Sequence, residues 1–176
     1  MDKLYTLAYP TLGKSDAAFI ERFRREHDLP YRDVVAPHFT MVFACSALPE
    51  AEYLQHVEAV AKASSAIDFS CRYAMLGSDD EDETAYVFLV PDEGYSGLSL
   101  LHDRLYTGPL SQYLWLDLPY IPHITIGTLT ERHAAKQLCD DLNRSGLAIQ
   151  GSVSSLAVGA LANGKINNLA SFKLRT

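Results

Sequence analysis

The first apolar run, residues 4–9, reads as a short strand that Pro10 and the turn-forming residues 11–15 bring to a stop. Ser15 then stands as the N-cap of a helix to about Asp28. Phe19, Ile20 and Phe23 share one face of it, and Arg22 and Arg25 fall largely outside that face. Strand formers return in HFTMVFAC, residues 38–45. Pro49 opens a second helix whose inward stripe is Leu54, Val57, Val60 and Ala61. Residues 67–76 and 85–90 then predict two strands, joined across an acidic run at 79–83.

The order recurs in the second half. Leu98, Leu101 and Leu105 lie at helical spacing within residues 96–107, and Gly108-Pro109 ends that helix. HITIGTL, residues 123–129, is a strand. Thr130 stands as the cap of a helix to about Arg144, with Ala135, Leu138 and Leu142 inward and Gly146 at its end. Residues 148–161 and 165–174 flank Asn163-Gly164, a strong hairpin signal. Each half is thus a helix, a short apolar strand, a helix and a pair of strands, with the two short strands offset by 85 residues. Such a duplication predicts two similar lobes related by a pseudo-twofold axis. The expected fold class is α+β: two pseudo-symmetric lobes with mostly antiparallel sheets around a central cleft, helices on the outside. Residues 1–176 are expected to form one two-lobed domain.

Both short strands begin alike, as Pro37-His38-Phe39-Thr40-Met41 and Pro122-His123-Ile124-Thr125-Ile126. Alternate residues of a strand point to the same side, so His38 goes with Thr40 and His123 with Thr125. Phe39, Met41, Ile124 and Ile126 point the other way, into apolar packing. One His-x-Thr alone is most simply a satisfied polar pair on a half-exposed strand. Two preceded by proline arise by chance in a fraction of shuffled sequences on the order of 10⁻⁴. Their match to the internal duplication makes them candidate chemistry.

Two imidazoles on opposite sides of a bond supply a general base and a general acid near neutral pH. Threonine hydroxyls donate to an anionic oxygen. A tetrahedral phosphate fits that set, and the reaction class is phosphodiester cleavage without a covalent intermediate. One histidine would deprotonate water and the other protonate the departing oxygen. The residues alone leave open which does which. No serine or cysteine nucleophile with an adjacent base is evident.

The paired motifs PHFTM and PHITI resemble the duplicated His-x-Thr-x signature of the 2H phosphoesterase superfamily, which includes 2′–5′ RNA ligases and cyclic-nucleotide phosphodiesterases. The resemblance takes in the leading strand ending in LAYP and the helix ending LYTGPL before the second motif. It implies two βαβ-like lobes around a cleft, with His38, Thr40, His123 and Thr125 as the catalytic tetrad. It also implies a metal-independent enzyme, without a cofactor, that opens 2′,3′-cyclic phosphates, cleaves 2′–5′ linkages, or joins RNA ends in reverse. The leading expectation is hydrolysis of a small or terminal RNA-type phosphodiester, most simply a 2′,3′-cyclic phosphate. The alternatives are a 2′–5′ end-joining ligase and a non-catalytic module binding phosphorylated RNA ends or nucleotides. The partner expected is accordingly a small nucleotide or an RNA terminus with a cyclic phosphate or 2′–5′ linkage.

Composition narrows the surroundings of this site. The net charge is -7, but the run at 79–83 holds five of the 22 acidic residues and leaves -2 without it. The run reads as a solvated loop between strands. The balance argues against a broad nucleic-acid surface and permits a small basic pocket. At 48% apolar and 21% charged, with no run long enough to span a bilayer, no membrane segment is expected. The N-terminal residues lack the pattern of an export signal, and Cys45, Cys71 and Cys139 are odd in number and widely spaced. A cytoplasmic monomer with reduced thiols is the expectation. His27, His56, His102 and His133 lie on expected helices in core-edge or surface roles, and no third ligand accompanies either motif to make a zinc site. Tyr9, Tyr73 and Tyr120 are candidates for stacking a nucleobase, and Arg72, Lys3 and Lys165 for neutralising phosphate. Residues 94–97, GYSG, are too short a loop to cradle a dinucleotide.

Overall fold

Strands whose alternate side chains are apolar must bury one face, and here they do so in two sheets. The computed structural model describes residues 3–78 and 83–176; most of the acidic run therefore lies outside the described residues. In chain order the elements are β1 (Leu4–Ala8), β2 (Thr11–Leu12), α1 (Lys14–His27), β3 (Phe39–Cys45), α2 (Glu50–Ala63), β4 (Ile67–Cys71), β5 (Tyr73–Ser78) and β6 (Ala85–Val90). There follow α3 (Tyr95–Leu105), a 3₁₀ helix (Gly108–Tyr113), β7 (Ile124–Leu129), α4 (Arg132–Arg144), β8 (Ile149–Val153), β9 (Ser155–Ala162) and β10 (Lys165–Lys173). Among them no helix is long and apolar enough to cross a membrane.

The larger sheet has seven strands in the order β10-β9-β1-β3-β7-β6-β5, and the smaller has the order β2-β8-β4. All ladders between these strands are antiparallel, so the α+β class with mostly antiparallel sheets holds. Apart from β10, the larger sheet reads the same from both ends under the exchange β1/β6, β3/β7, β9/β5. The two helices follow suit, α1 packing on β7 and α3 on β3. The internal duplication is therefore visible in three dimensions, but β6, read from the sequence as the last strand of the first half, is the counterpart of β1, and the halves are interlocked. The first half of the chain supplies β5 to the β6–β7 side, and the second half supplies β9 and β10 to the β1–β3 side.

That exchange explains two departures from the sequence reading. Residues 67–76 are two strands in different sheets, broken at Arg72, and residues 148–161 are likewise two, broken at Ser154. A continuous apolar pattern reports burial, and it does not report that the chain leaves one sheet for the other. The residues read as a turn after Pro10 also hold a strand: Thr11 and Leu12 pair with Ser152 and Gly151.

Helix starts differ too. Ser15 lies inside α1, its hydroxyl on Asp16 at 3.4 Å, and Gly13 takes the cap position. Glu131, not Thr130, caps α4, its carbonyl accepting the Ala135 N–H at 3.0 Å. In α2 the buried residues are Tyr53, Val57 and Ala61, with Leu54 and Val60 half-buried. The expected hairpin forms at Asn163-Gly164, where φ values of 53° and 73° demand the left-handed region that these two residues tolerate. The core joins both sheets and all four α-helices, and the edge-on contact of Phe39 with Phe69, 5.1 Å between centroids, spans β3 and β4. Cys45, Cys71 and Cys139 are all buried free thiols.

Candidate active site

The two motif strands are neighbours at the middle of the larger sheet. They pair antiparallel at Phe39↔Ile124. Continued by one residue each way, that register sets His38 across from Thr125 and Thr40 across from His123. Phe39, Met41, Ile124 and Ile126 are fully buried on one face, whereas His38, Thr40, His123 and Thr125 are all partly exposed on the other. The structure therefore brings the four sequence-selected residues together on one solvent-facing patch. At ideal ladder spacing directly opposed positions lie about 5 Å apart and diagonal ones about 7–8 Å.

Each imidazole is held in the same way. His38 Nδ1 lies 2.8 Å from the Ala36 carbonyl, and His123 Nδ1 lies 2.7 Å from the Ile121 carbonyl. A carbonyl only accepts, so Nδ1 carries the hydrogen in both rings and Nε2 is left for other work. In both motifs the carbonyl belongs to the residue before the proline. This repeated anchor fixes tautomer and ring orientation together.

The rings differ in their surroundings. Phe88 of β6 stacks on His123, with centroids 3.9 Å apart and an interplanar angle of 28°. Tyr86 lies beyond Phe88 at 5.7 Å and 11°, making a run of three rings across β6 and β7. Gly77 of β5 lies beneath, and a Cβ there would run into the Phe88 ring. His38 lies edge-on to Tyr9, with ring centroids 6.2 Å apart. Burial lowers the pKa of both imidazoles, and the carbonyl bonds partly oppose it. In His38 the pKa falls to about 4, with burial the main cause and the charges of Arg24 and His123 adding to it.

Arg24 is the residue the periodicity concealed. It is 5% exposed, its Nε 2.8 Å from Asp28, itself fully buried, while its Nη2 donates to the Tyr31 carbonyl at 3.1 Å. Asp28 in turn accepts from the Thr128 hydroxyl at 2.8 Å, tying the end of α1 to β7. The i,i+4 spacing of Arg24 and Asp28 was the available signal.

Tyr120 takes a packing role. Its hydroxyl donates to the Thr40 carbonyl at 3.0 Å, and its ring stacks on buried His102 at 3.7 Å, so it braces the approach to the second motif against the first. Tyr73 is exposed on edge strand β5. Arg72 bonds Asp92 at 2.7 Å, while Lys3 and Lys165 are exposed, before β1 and at the start of β10. Of the helical histidines, His102 is the buried one, and His56 bonds the Leu105 carbonyl at 2.8 Å. Among the described residues no group of three or more His, Cys, Asp or Glu side chains is placed to hold a metal ion.

The family profile of the 2′–5′ RNA ligase superfamily matches residues 12–165, a span that contains both motifs and the whole motif ladder. The chain belongs to the 2′–5′ RNA ligase superfamily. Its fold is shared with solved structures at low identity. Escherichia coli LigT in apo form is 16% identical at a TM-score of 0.60, over 99% of this chain and 98% of that one. TT0787 of Thermus thermophilus is 18% identical at 0.62, over 98% of each chain. Kluyveromyces marxianus Usb1 is 9% identical at 0.56, over 96% of this chain and 97% of its own. No curated protein matches the chain. In this member of the superfamily, the interlocked sheet sets the two His-x-Thr strands side by side.

Proposed function

We propose that this member of the superfamily is a metal-independent phosphodiesterase acting on a small or terminal RNA-type phosphodiester, most simply a 2′,3′-cyclic phosphate. The reading takes residues 1–176 as one two-lobed domain whose tetrad is His38, Thr40, His123 and Thr125. One observation carries it. Two imidazoles with identical carbonyl anchors on Nδ1 share the exposed face of adjoining strands with two threonine hydroxyls. Anchored in that way, a neutral ring offers Nε2 as a base and a protonated ring offers Nε2–H as an acid.

Surroundings distribute the roles. Burial chiefly, with the charge of Arg24 adding to it, disfavours a proton on His38, so His38 stays neutral and takes the proton from water. The Phe88 face under His123 favours an imidazolium by cation–π attraction, so His123 protonates the departing ribose oxygen. Water adds to phosphorus as the P–O bond to that oxygen breaks, and the proton count is unchanged across the step. The Thr40 and Thr125 hydroxyls donate to the non-bridging oxygens, whose charge grows in the transition state. Crystals of LigT with phosphate and with 3′-AMP support a small nucleotide as the ligand class.

The test is turnover of a nucleoside 2′,3′-cyclic phosphate by single variants. His38→Ala and His123→Ala should each lower kcat/KM by about 10²–10⁴-fold, the usual worth of a positioned acid or base. Thr40→Val and Thr125→Val should each cost about 10–10³-fold. Wild-type binding of cyclic and 2′–5′ substrates without turnover would replace the reading with a binding module.

A further inference from the structure

A cavity of about 910 Å³ opens beside His38, between α1, residues 32–37 and β10. Two of its lining residues adjoin the His38 ring: Tyr9 lies edge-on to it, and Ala36 supplies the carbonyl on Nδ1. Three arginines line it, namely Arg24, Arg25 and Arg32. In a chain of net charge -7 they outnumber the carboxylates of this wall by one. Two carboxylates share the wall. Asp33 is engaged by Arg32 at 3.3 Å, and Glu21 stands on α1, one turn before Arg25.

Arg24 makes this more than a surface charge. It is nearly sealed from water and fixed by Asp28 through Nε and by the Tyr31 carbonyl through Nη2. A guanidinium has five donors in a rigid fork, and those two bonds use only Nε and Nη2 of a residue that also lines the cavity. Arg32 is steadied as well, its Nη1 donating to the Arg25 carbonyl at 2.7 Å, which draws the two exposed arginines together. Planar forks around a cavity are suited to a tetrahedral oxyanion. The volume also exceeds what a lone phosphate needs and falls within the range that encloses a nucleotide-sized ligand, roughly 300–1,000 Å³.

We propose that this cavity binds a second phosphate of the substrate, so that the preferred substrate is a nucleotide or RNA terminus carrying a phosphate besides the one cleaved. The inference rests on the phosphodiesterase reading for its orientation. Arg25 and Arg32 take the phosphate oxygens, Arg24, paired with Asp28, lies behind them, and Tyr9 stands between this pocket and His38. A bare nucleoside 2′,3′-cyclic phosphate fills only the tetrad side.

The experiment compares adenosine 2′,3′-cyclic phosphate with its 5′-phosphorylated form, using wild type and the Arg25→Ala/Arg32→Ala double variant. Both arginines are exposed, so the variant is expected to fold. For wild type the 5′-phosphate should raise kcat/KM about 10-fold or more, through KM. In the double variant that ratio should fall to about 1–2, and an Arg144→Ala control should keep the wild-type ratio. Equal kcat/KM for the two substrates in wild type, or an unchanged ratio in the double variant, overturns the proposal. Calorimetry with adenosine 3′-phosphate and adenosine 3′,5′-bisphosphate separates this from the catalytic reading. Without turnover of either substrate, tighter binding of the bisphosphate that disappears in the double variant still upholds the pocket, and equal binding refutes it.

Discussion

At the scale of single residues, protonation states govern the chemistry. In the proposed mechanism His38 must be neutral to act as base, so activity is expected to switch on as pH rises through its pKa of about 4. His123 must be protonated to act as acid, and burial has pushed its pKa below the ordinary imidazole value. The kcat/KM profile should therefore be a bell with its acid limb near pH 4 and its basic limb below neutrality, measured on a 2′,3′-cyclic nucleotide. A plateau extending through pH 8 would refute this distribution of charge. The same shift has a stability consequence. The unfolded chain binds the His38 proton more tightly than the folded one, so stability is fully present above the unfolded value and is lost as pH falls toward about 4. His38→Gln should flatten the fall in Tm between pH 6.5 and 4 relative to wild type. The four proposed tetrad positions were picked out by the repeated Pro-His-x-Thr, and their neighbours Phe39, Met41, Ile124 and Ile126 alternate with them as fully buried side chains. Arg24 was not, because a buried charge breaks the apolar stripe by which a helix face is recognised, and its partner Asp28 lies just past the helix end.

Elements bring those residues within reach of one another, and β5, β6 and β7 do it for His123. Phe88 can lie flat against the imidazole because Gly77 on the neighbouring strand leaves room for its ring. Gly77→Ala should push the ring aside and lower kcat about 10-fold while the protein stays folded; Phe88→Leu should give a similar loss and shift the basic limb of the pH profile downward, as the cation–π support is removed. A lower Tm with that limb unchanged for Phe88→Leu would assign the contact to packing alone. The helices and motif strands were visible in the sequence, since 3.6-residue and two-residue periods differ plainly there. Strand ends were less so. Nothing in the apolar run through Arg72 or through Ser154 marks a change of sheet, because both sheets feed one core and make the same demand for burial.

For the whole molecule, the interlocked duplication is what makes one site out of two motifs. The strands lie 85 residues apart in sequence yet adjoin at the centre of a sheet that both halves of the chain share. The exchange of β5 and β9 means that neither half completes its own sheet, so the relative position of the two histidines is fixed by the core and not by a linker. The duplication itself could be read from the repeated Pro-His-x-Thr, but the exchange could not, since it depends on which strand pairs with which over long separations. The overall acidity was equally incomplete as a guide, because a net charge of -7 averages over an arginine-lined cavity beside the site. The most direct test is hydrolysis of adenosine 2′,3′-cyclic phosphate, followed by product chromatography in excess chelator, by wild type and by the His38→Ala/His123→Ala double variant. The expected result is a ring-opened monophosphate from wild type and none above background from the variant. Wild-type turnover that chelator abolishes, or full turnover by a folded double variant, would contradict it.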